Sequence, residues 1–222
     1  MNSFELVDWA VALVPVLLMA MLFAWLDVFK LMSPWEMVAC LLLGTVAALL
    51  AWPISGRMLD TLPIGYSFYS RIVAPWIEEA LKALALAMLF TANRIGFKLD
   101  SILCGFAIGA GFSVIENIFY LARFPELTTA VWLVRGLGTA VMHGGATACL
   151  AMMAKTLADR RGRASFAALV PGWLLAVLLH SAFNHFFLAP DLSTLALLTV
   201  LPLLFMAVFR VSEERTREEQ DL

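Results

Sequence analysis

Ile102-Leu103-Cys104-Gly105-Phe106-Ala107-Ile108-Gly109-Ala110-Gly111-Phe112-Ser113-Val114-Ile115-Glu116-Asn117 is the stretch that decides the fold. It carries no charge before Glu116. Extended to residue 121, it reaches the ~20 mostly apolar residues that a helix needs to cross a bilayer. Gly105, Gly109 and Gly111 are the small residues that let membrane helices approach closely, so packing is their expected role. Phe112 and Glu116 are four apart and share a helix face.

Working outward, six further apolar stretches appear, giving spans at 9–26, 37–54, 72–90, 102–121, 128–154, 166–188 and 192–209. Turn or polar residues separate them: Ser33-Pro34, 53–65, 93–100, 124–126, 159–163 and Pro190-Asp191. The expected fold is an all-α polytopic membrane bundle of about seven transmembrane helices, one domain over 1–222. Its catalytic core is expected at about 70–190, with a charged cytoplasmic tail at 211–222. Composition agrees: 62% of residues are hydrophobic and 14% charged, against about 45–50% and about 25% in soluble domains. There is no basic run, so nucleic acid is not an expected partner; the bilayer is. Glu5 and Asp8 stand where a signal peptide has its positive region, so the first stretch reads as a retained span. Cys40, Cys104 and Cys149 all lie in apolar stretches and read as packing residues, not as a disulfide framework.

Lys and Arg set the orientation. Lys30, Arg94, Lys98, Lys155, Arg160, Arg161, Arg163, Arg210, Arg215 and Arg217 fall at one set of span ends. Arg57, Arg71 and Arg123 fall at the other. The N-terminus is therefore expected outside and the C-terminus in the cytoplasm, in a bacterial inner or plasma membrane.

Spans three to six carry charges inside their apolar stretches: Glu78, Glu79 and Lys82; Glu116; Arg135 and His143; His180. A charge at mid-bilayer costs ~2.5–3.5 kcal/mol on insertion scales, so such groups face the bundle interior and mark function. Glu78 and Lys82, four apart, are expected to pair, with Glu79 about 100° around the helix. The competing structural reading is a buried Glu–Lys pair with one stray acid. Asn117 beside Glu116 reads either as a site residue or as an interhelical clamp. Arg135 is the expected charge partner near the outer end, and Gly144-Gly145 allow a close neighbour behind His143. His180 and Asn184 share a face, so the amide either orients the imidazole or holds a reacting oxygen. His185, about 140° away, reads as interfacial.

Depth tests convergence. At about 1.5 Å per residue, Glu78 lies ~9 Å, Glu116 ~7 Å, His180 ~12 Å and Asn184 ~6 Å below the outer span ends. His143 lies ~22 Å from residue 128, and joins the others only if the long fifth span projects beyond the bilayer.

Glu78-Glu79-x-x-Lys82, Phe112-x-x-x-Glu116-Asn117, His143 and His180-x-x-x-Asn184 on successive spans resemble the PrsW family of intramembrane proteases, relatives of the CAAX-prenyl and bacteriocin-processing endopeptidases. CAAX-type enzymes carry Glu-Glu-x-x-x-Arg and Phe-x-x-x-His; this chain has Lys82 and Glu116 instead, which favours the PrsW type. The resemblance implies cleavage of a single-span membrane protein, such as an anti-sigma factor. It also implies Glu78 and Glu79 as the catalytic acid pair, with Glu116, His143, His180 and Asn184 around them. The expected mechanism makes Glu78 the general base, positioned by Glu79. His180 and Asn184 stabilise the oxyanion, and His143 and Glu116 orient water or relay a proton. Lys82, Phe112, Asn117 and Arg135 support the site. No metal is favoured; the alternative is zinc on Glu116, His143 and His180. No His-Glu-x-x-His helix occurs. The rival functions are a proton-coupled carrier, which would show inverted repeats, and a silent immunity or scaffold protein.

Overall fold

A computed structural model describes residues 3–27, 30–161 and 165–187, with three single positions beyond (199, 203 and 210). The described elements are all helical: α1 Ser3–Leu26, α2 Pro34–Thr61, the single turn α3 Tyr66–Phe68, a π-helical turn Tyr69–Val73, α4 Ala74–Thr91, α5 Lys98–Arg123, α6 Thr129–Arg161 and α7 Phe166–Phe187.

Local signals explain the boundaries. Ser33 caps α2 reciprocally with Glu36: the Ser33 hydroxyl accepts from the Glu36 N–H, and the Glu36 carboxylate accepts from the Ser33 N–H at 2.8 Å. Pro34 opens the helix, where its missing N–H costs nothing. After α4, Asn93 turns left-handed at φ 52° and Arg94 N–H closes on Leu89 O at 3.0 Å, a Schellman-type stop. Two expected joints are helix over part of their length. α2 continues through Pro53 to Thr61, as membrane helices tolerate internal proline. α6 runs past 154 to Arg161, its last turns carrying a Lys155–Asp159 pair at 2.5 Å.

α5 is the centre. It packs against α1, α2 and α6, and nearly all its residues from Leu99 to Ser113 are buried. Its glycines make that possible. A Cβ at Gly105 would stand 2.6 Å from the Thr147 carbonyl oxygen, and one at Gly109 would stand 2.6 Å from the Gly144 Cα. Both are distances that no side chain tolerates, so α5 and α6 touch backbone to backbone. The outward faces remain apolar: Leu18, Met21 and Trp25 on α1, Leu42 and Leu50 on α2, and Leu178 on α7 are all exposed.

Five described helices are long and apolar enough to span a membrane: those in α1, α2, α5, α6 and α7. The expected number was about seven. α4, the third expected span, has 18 residues and carries Glu78, Glu79 and Lys82, so composition does not mark it as a span. The expected span 192–209 and the tail 211–222 lie outside the described residues. The three cysteines are free thiols, as expected.

Candidate active site

The site begins with a proline. Pro75, in the first turn of α4, has no N–H to offer the carbonyl four residues back, Arg71, or the one five back, Ser70. The chain above it is a π-helical turn, Tyr69–Val73, closed by Ala74 N–H on Tyr69 O. The two freed carbonyls are taken by α7. The Ser181 hydroxyl donates to Arg71 O at 2.6 Å, and the Asn184 amide donates to Ser70 O at 2.8 Å. These two straps set the register of α7 against α4 and bring His180 onto Glu79.

From there a chain of charged side chains runs through the bundle. His180 Nδ1 lies 2.8 Å from Glu79 Oε1. The same oxygen accepts from Lys82 Nζ at 2.6 Å. Lys82 Nζ also lies 2.8 Å from His143 Nδ1. His143 Nε2 meets Glu116 Oε2 at 2.9 Å, and Glu116 in turn meets Arg135 Nη2 at 3.3 Å. Glu79, Lys82 and His143 have no exposed surface. Phe112 roofs the network, its ring centre 4.5 Å from Lys82 Nζ and 4.9 Å from the His143 ring. The two imidazoles stand edge to face at 4.8 Å.

Hydrogen-bond polarity assigns the protons. An ammonium only donates, so His143 Nδ1 accepts from Lys82 and His143 carries its proton on Nε2, toward Glu116. His180 points its Nδ1–H at the Glu79 carboxylate, which leaves Nε2 facing Glu78 Oε2 across 3.9 Å. That gap is too long for a hydrogen bond. Glu78 Oε2 and Glu79 Oε2 are both buried and have no hydrogen-bond partner among the described residues.

Most of the expected residues therefore converge. Glu78, Glu79, Lys82, Phe112, Glu116, Arg135, His143 and His180 form one cluster. His143 reaches it because α6 has 33 residues, about 50 Å of helix. Four expectations change or are extended. Lys82 pairs with Glu79, three residues away, and not with Glu78. Glu79 accordingly orients His180 and Lys82 rather than Glu78. Asn184 commits one of its two amide N–H groups to the π-turn, which gives it a positioning role as well. Asn117 lies away from the cluster and clamps α5 to α1 and α6, its amide donating to Ala12 O at 3.0 Å and Thr139 Oγ1 at 3.1 Å. His185 is exposed, and its ring Nδ1 lies 2.8 Å from Ser181 O one turn back in α7.

Sequence reasoning missed the tyrosines and α2. Tyr66 and Tyr120 share a hydroxyl hydrogen bond at 2.7 Å, and the Arg135 guanidinium lies 3.6 Å over the Tyr120 ring. Trp52 of α2 packs on Phe119, ring centres 3.6 Å apart, beside a cavity that also touches Glu78 and Glu116. The signal available was Pro75 at an unusual place in a span, with Ser181 and Asn184 on one face of a later one.

A family model described as PrsW family intramembrane metalloprotease matches residues 32–211. The chain belongs to the PrsW family. No curated protein and no solved structure shows significant similarity to it. PrsW membership makes the chain an intramembrane protease, and with its apolar helices an integral membrane protein. The matched region includes α2.

The family description names a metal, and Glu78, His143 and His180 each offer a ligand atom, all within 4.8 Å of one another. Glu116, expected in that set, is instead engaged by His143 and Arg135. His180 fits a metal well, with Glu79 behind it as the orienting carboxylate. His143 does not fit in this arrangement. Lys82 occupies Nδ1 and Glu116 occupies Nε2, so ligation by either nitrogen requires one partner to withdraw.

The straps carry a prediction. Ser181→Ala and Asn184→Ala each leave a π-turn carbonyl without its donor, at a cost of ~1–3 kcal/mol. Thermal unfolding in detergent should show both losses. The serine-to-threonine change at 181, which keeps the hydroxyl, should stay close to wild type.

Proposed function

We propose that the chain hydrolyses a peptide bond of a single-span membrane protein, an anti-sigma factor being the type of substrate, with Glu78 as general base and near the outer face. One observation carries this. The buried network holds two fixed cations, and each neutralises its own acid: Lys82 with Glu79, Arg135 with Glu116. Glu78 is the third acid, at the edge of the network on the cavity, and its nearest basic group among the described ion pairs is His180 at 3.9 Å. It is the carboxylate left free to take a proton.

A water between Glu78 Oε2 and His180 Nε2 would touch both, since two hydrogen bonds of ~2.8 Å bridge such a gap. Glu78 removes one proton as the water oxygen bonds to the scissile carbonyl carbon. His180, oriented by Glu79, presents Nε2–H as a hydrogen-bond donor to the oxyanion. The C–N bond then breaks, and Glu78 passes its proton to the departing amine. His143 and Glu116 hold Lys82 and Arg135 in place. The outer-face location is supported by the excess of Lys and Arg at the opposite span ends, and the same excess supports an N-terminus outside, in a bacterial inner or plasma membrane.

A second reading, a metalloprotease, is favoured by the Glu78–His143–His180 grouping. A bound zinc would activate water and polarise the carbonyl. The two readings separate in one assay: purified chain, a single-span test protein, and product mass, with and without a strong chelator. The proposal expects a shortened product at a rate that the chelator leaves unchanged. Loss of cleavage, restored by zinc, would establish the metal reading. An intact test protein together with solute-driven proton uptake in vesicles would establish a carrier.

A further inference from the structure

The cavity beside Glu78 is a groove of about 550 Å³ between α2 and α5. Its long axis follows from the helices. On α5 its lining runs from Phe112 to Arg123, and on α2 from Ala48 to Leu59, in each case about 16 Å of helix. Glu78 and Phe112 mark one end and Arg123 the other. The α2 side is small, with Ala51, Ser55 and Gly56, while Trp52 and Phe119 form an aromatic wall.

Magnitudes restrict the occupant. An extended chain advances ~3.3 Å per residue, so about five residues span the groove. Hydrolysis also requires an unwound backbone, because a helical carbonyl is held by its hydrogen bond. At the far end Arg123 is exposed, its described contact being the Phe124 ring at 6.0 Å. A guanidinium with no acid partner among the described residues, at the mouth of an apolar groove, favours a carboxylate.

We infer that this groove holds the substrate as an unwound, mainly apolar segment of about five residues, with its scissile carbonyl at Glu78 and an acidic residue at Arg123. This rests on Glu78 being the base, and it adds a side-chain preference that the base alone does not set. Gly56 gives the sharpest test. A Cβ there meets nothing within 4 Å, so a large side chain enters the groove without disturbing the packing around it.

The experiment uses the full chain and a panel of single-span test proteins whose cleavage site is mapped by mass. Each of the five positions leading away from the cut is set in turn to Ala, Leu or Trp, and the fifth also to Asp or Lys. Gly56→Phe should raise KM about tenfold or more for the Leu and Trp versions while sparing Ala. Arg123→Glu should reverse the Asp-over-Lys preference, with the Lys version cut at the wild-type rate on Asp. If Glu78→Gln abolishes cleavage but both groove variants keep wild-type KM and preference, the groove assignment is wrong and the base stands. If Glu78→Gln cleaves normally, the base falls and the groove assignment with it.

Discussion

Lys82→Met should be among the most destabilising single changes in the described chain, at ~3–5 kcal/mol, because it strands a fully buried carboxylate. Lys82 Nζ donates to Glu79 Oε1 at 2.6 Å, and neither side chain has any exposed surface. Methionine keeps the length and the apolar stem but removes the charge. Glu79 would then retain only His180. The same change removes the donor on His143 Nδ1, so the tautomer that points Nε2–H at Glu116 is no longer enforced. The check is thermal or denaturant unfolding in detergent, on Lys82→Met and on the double variant Lys82→Met/Glu79→Gln. The double variant should recover a large part of the loss, since replacing both partners of a buried pair is far milder than removing one. A Lys82→Met protein as stable as wild type would mean that Glu79 does not depend on this ammonium.

The membrane bundle was legible because its signals are local. Uninterrupted apolar length located α1, α2, α5, α6 and α7, and the glycines of α5 announced its close packing on α6. The convergence of Glu78, Glu116 and His180 was also legible, since ionisable groups in apolar spans have few tolerable places other than each other, whereas that of His143 hung on how α6 sits along its neighbours. Pairing was not. Spacings of three and four residues both put side chains on one face, and only the tertiary position of His180 decides that Lys82 goes to Glu79 rather than Glu78. The role of Asn184 was hidden for a related reason. Its partner is a carbonyl freed by Pro75, more than a hundred residues earlier, and a backbone vacancy leaves no mark at the residue that fills it. The groove was illegible because it belongs to no single helix: Ala51 and Gly56 read as ordinary small residues until α5 sets Phe119 opposite.

Glu78→Gln should abolish most catalysis while leaving the protein folded. Glutamine matches glutamate in shape but cannot take a proton from water, and general base catalysis contributes ~10²–10⁴-fold. Glu78 makes no close ion pair with Lys82 or Arg135 among the described residues, so its charge does not hold the network together. Its Oε2 has no hydrogen-bond partner among the described residues, so stability should change by less than ~1 kcal/mol. That separates it from Glu79 and Lys82, whose loss would damage fold and activity together. The deciding measurement is the initial rate of cleavage of a single-span test protein by wild type and Glu78→Gln, with unfolding curves recorded on the same preparations. The account predicts coincident unfolding curves and a rate lower by at least ~100-fold; equal rates from the two equally stable proteins would show that Glu78 is not the base.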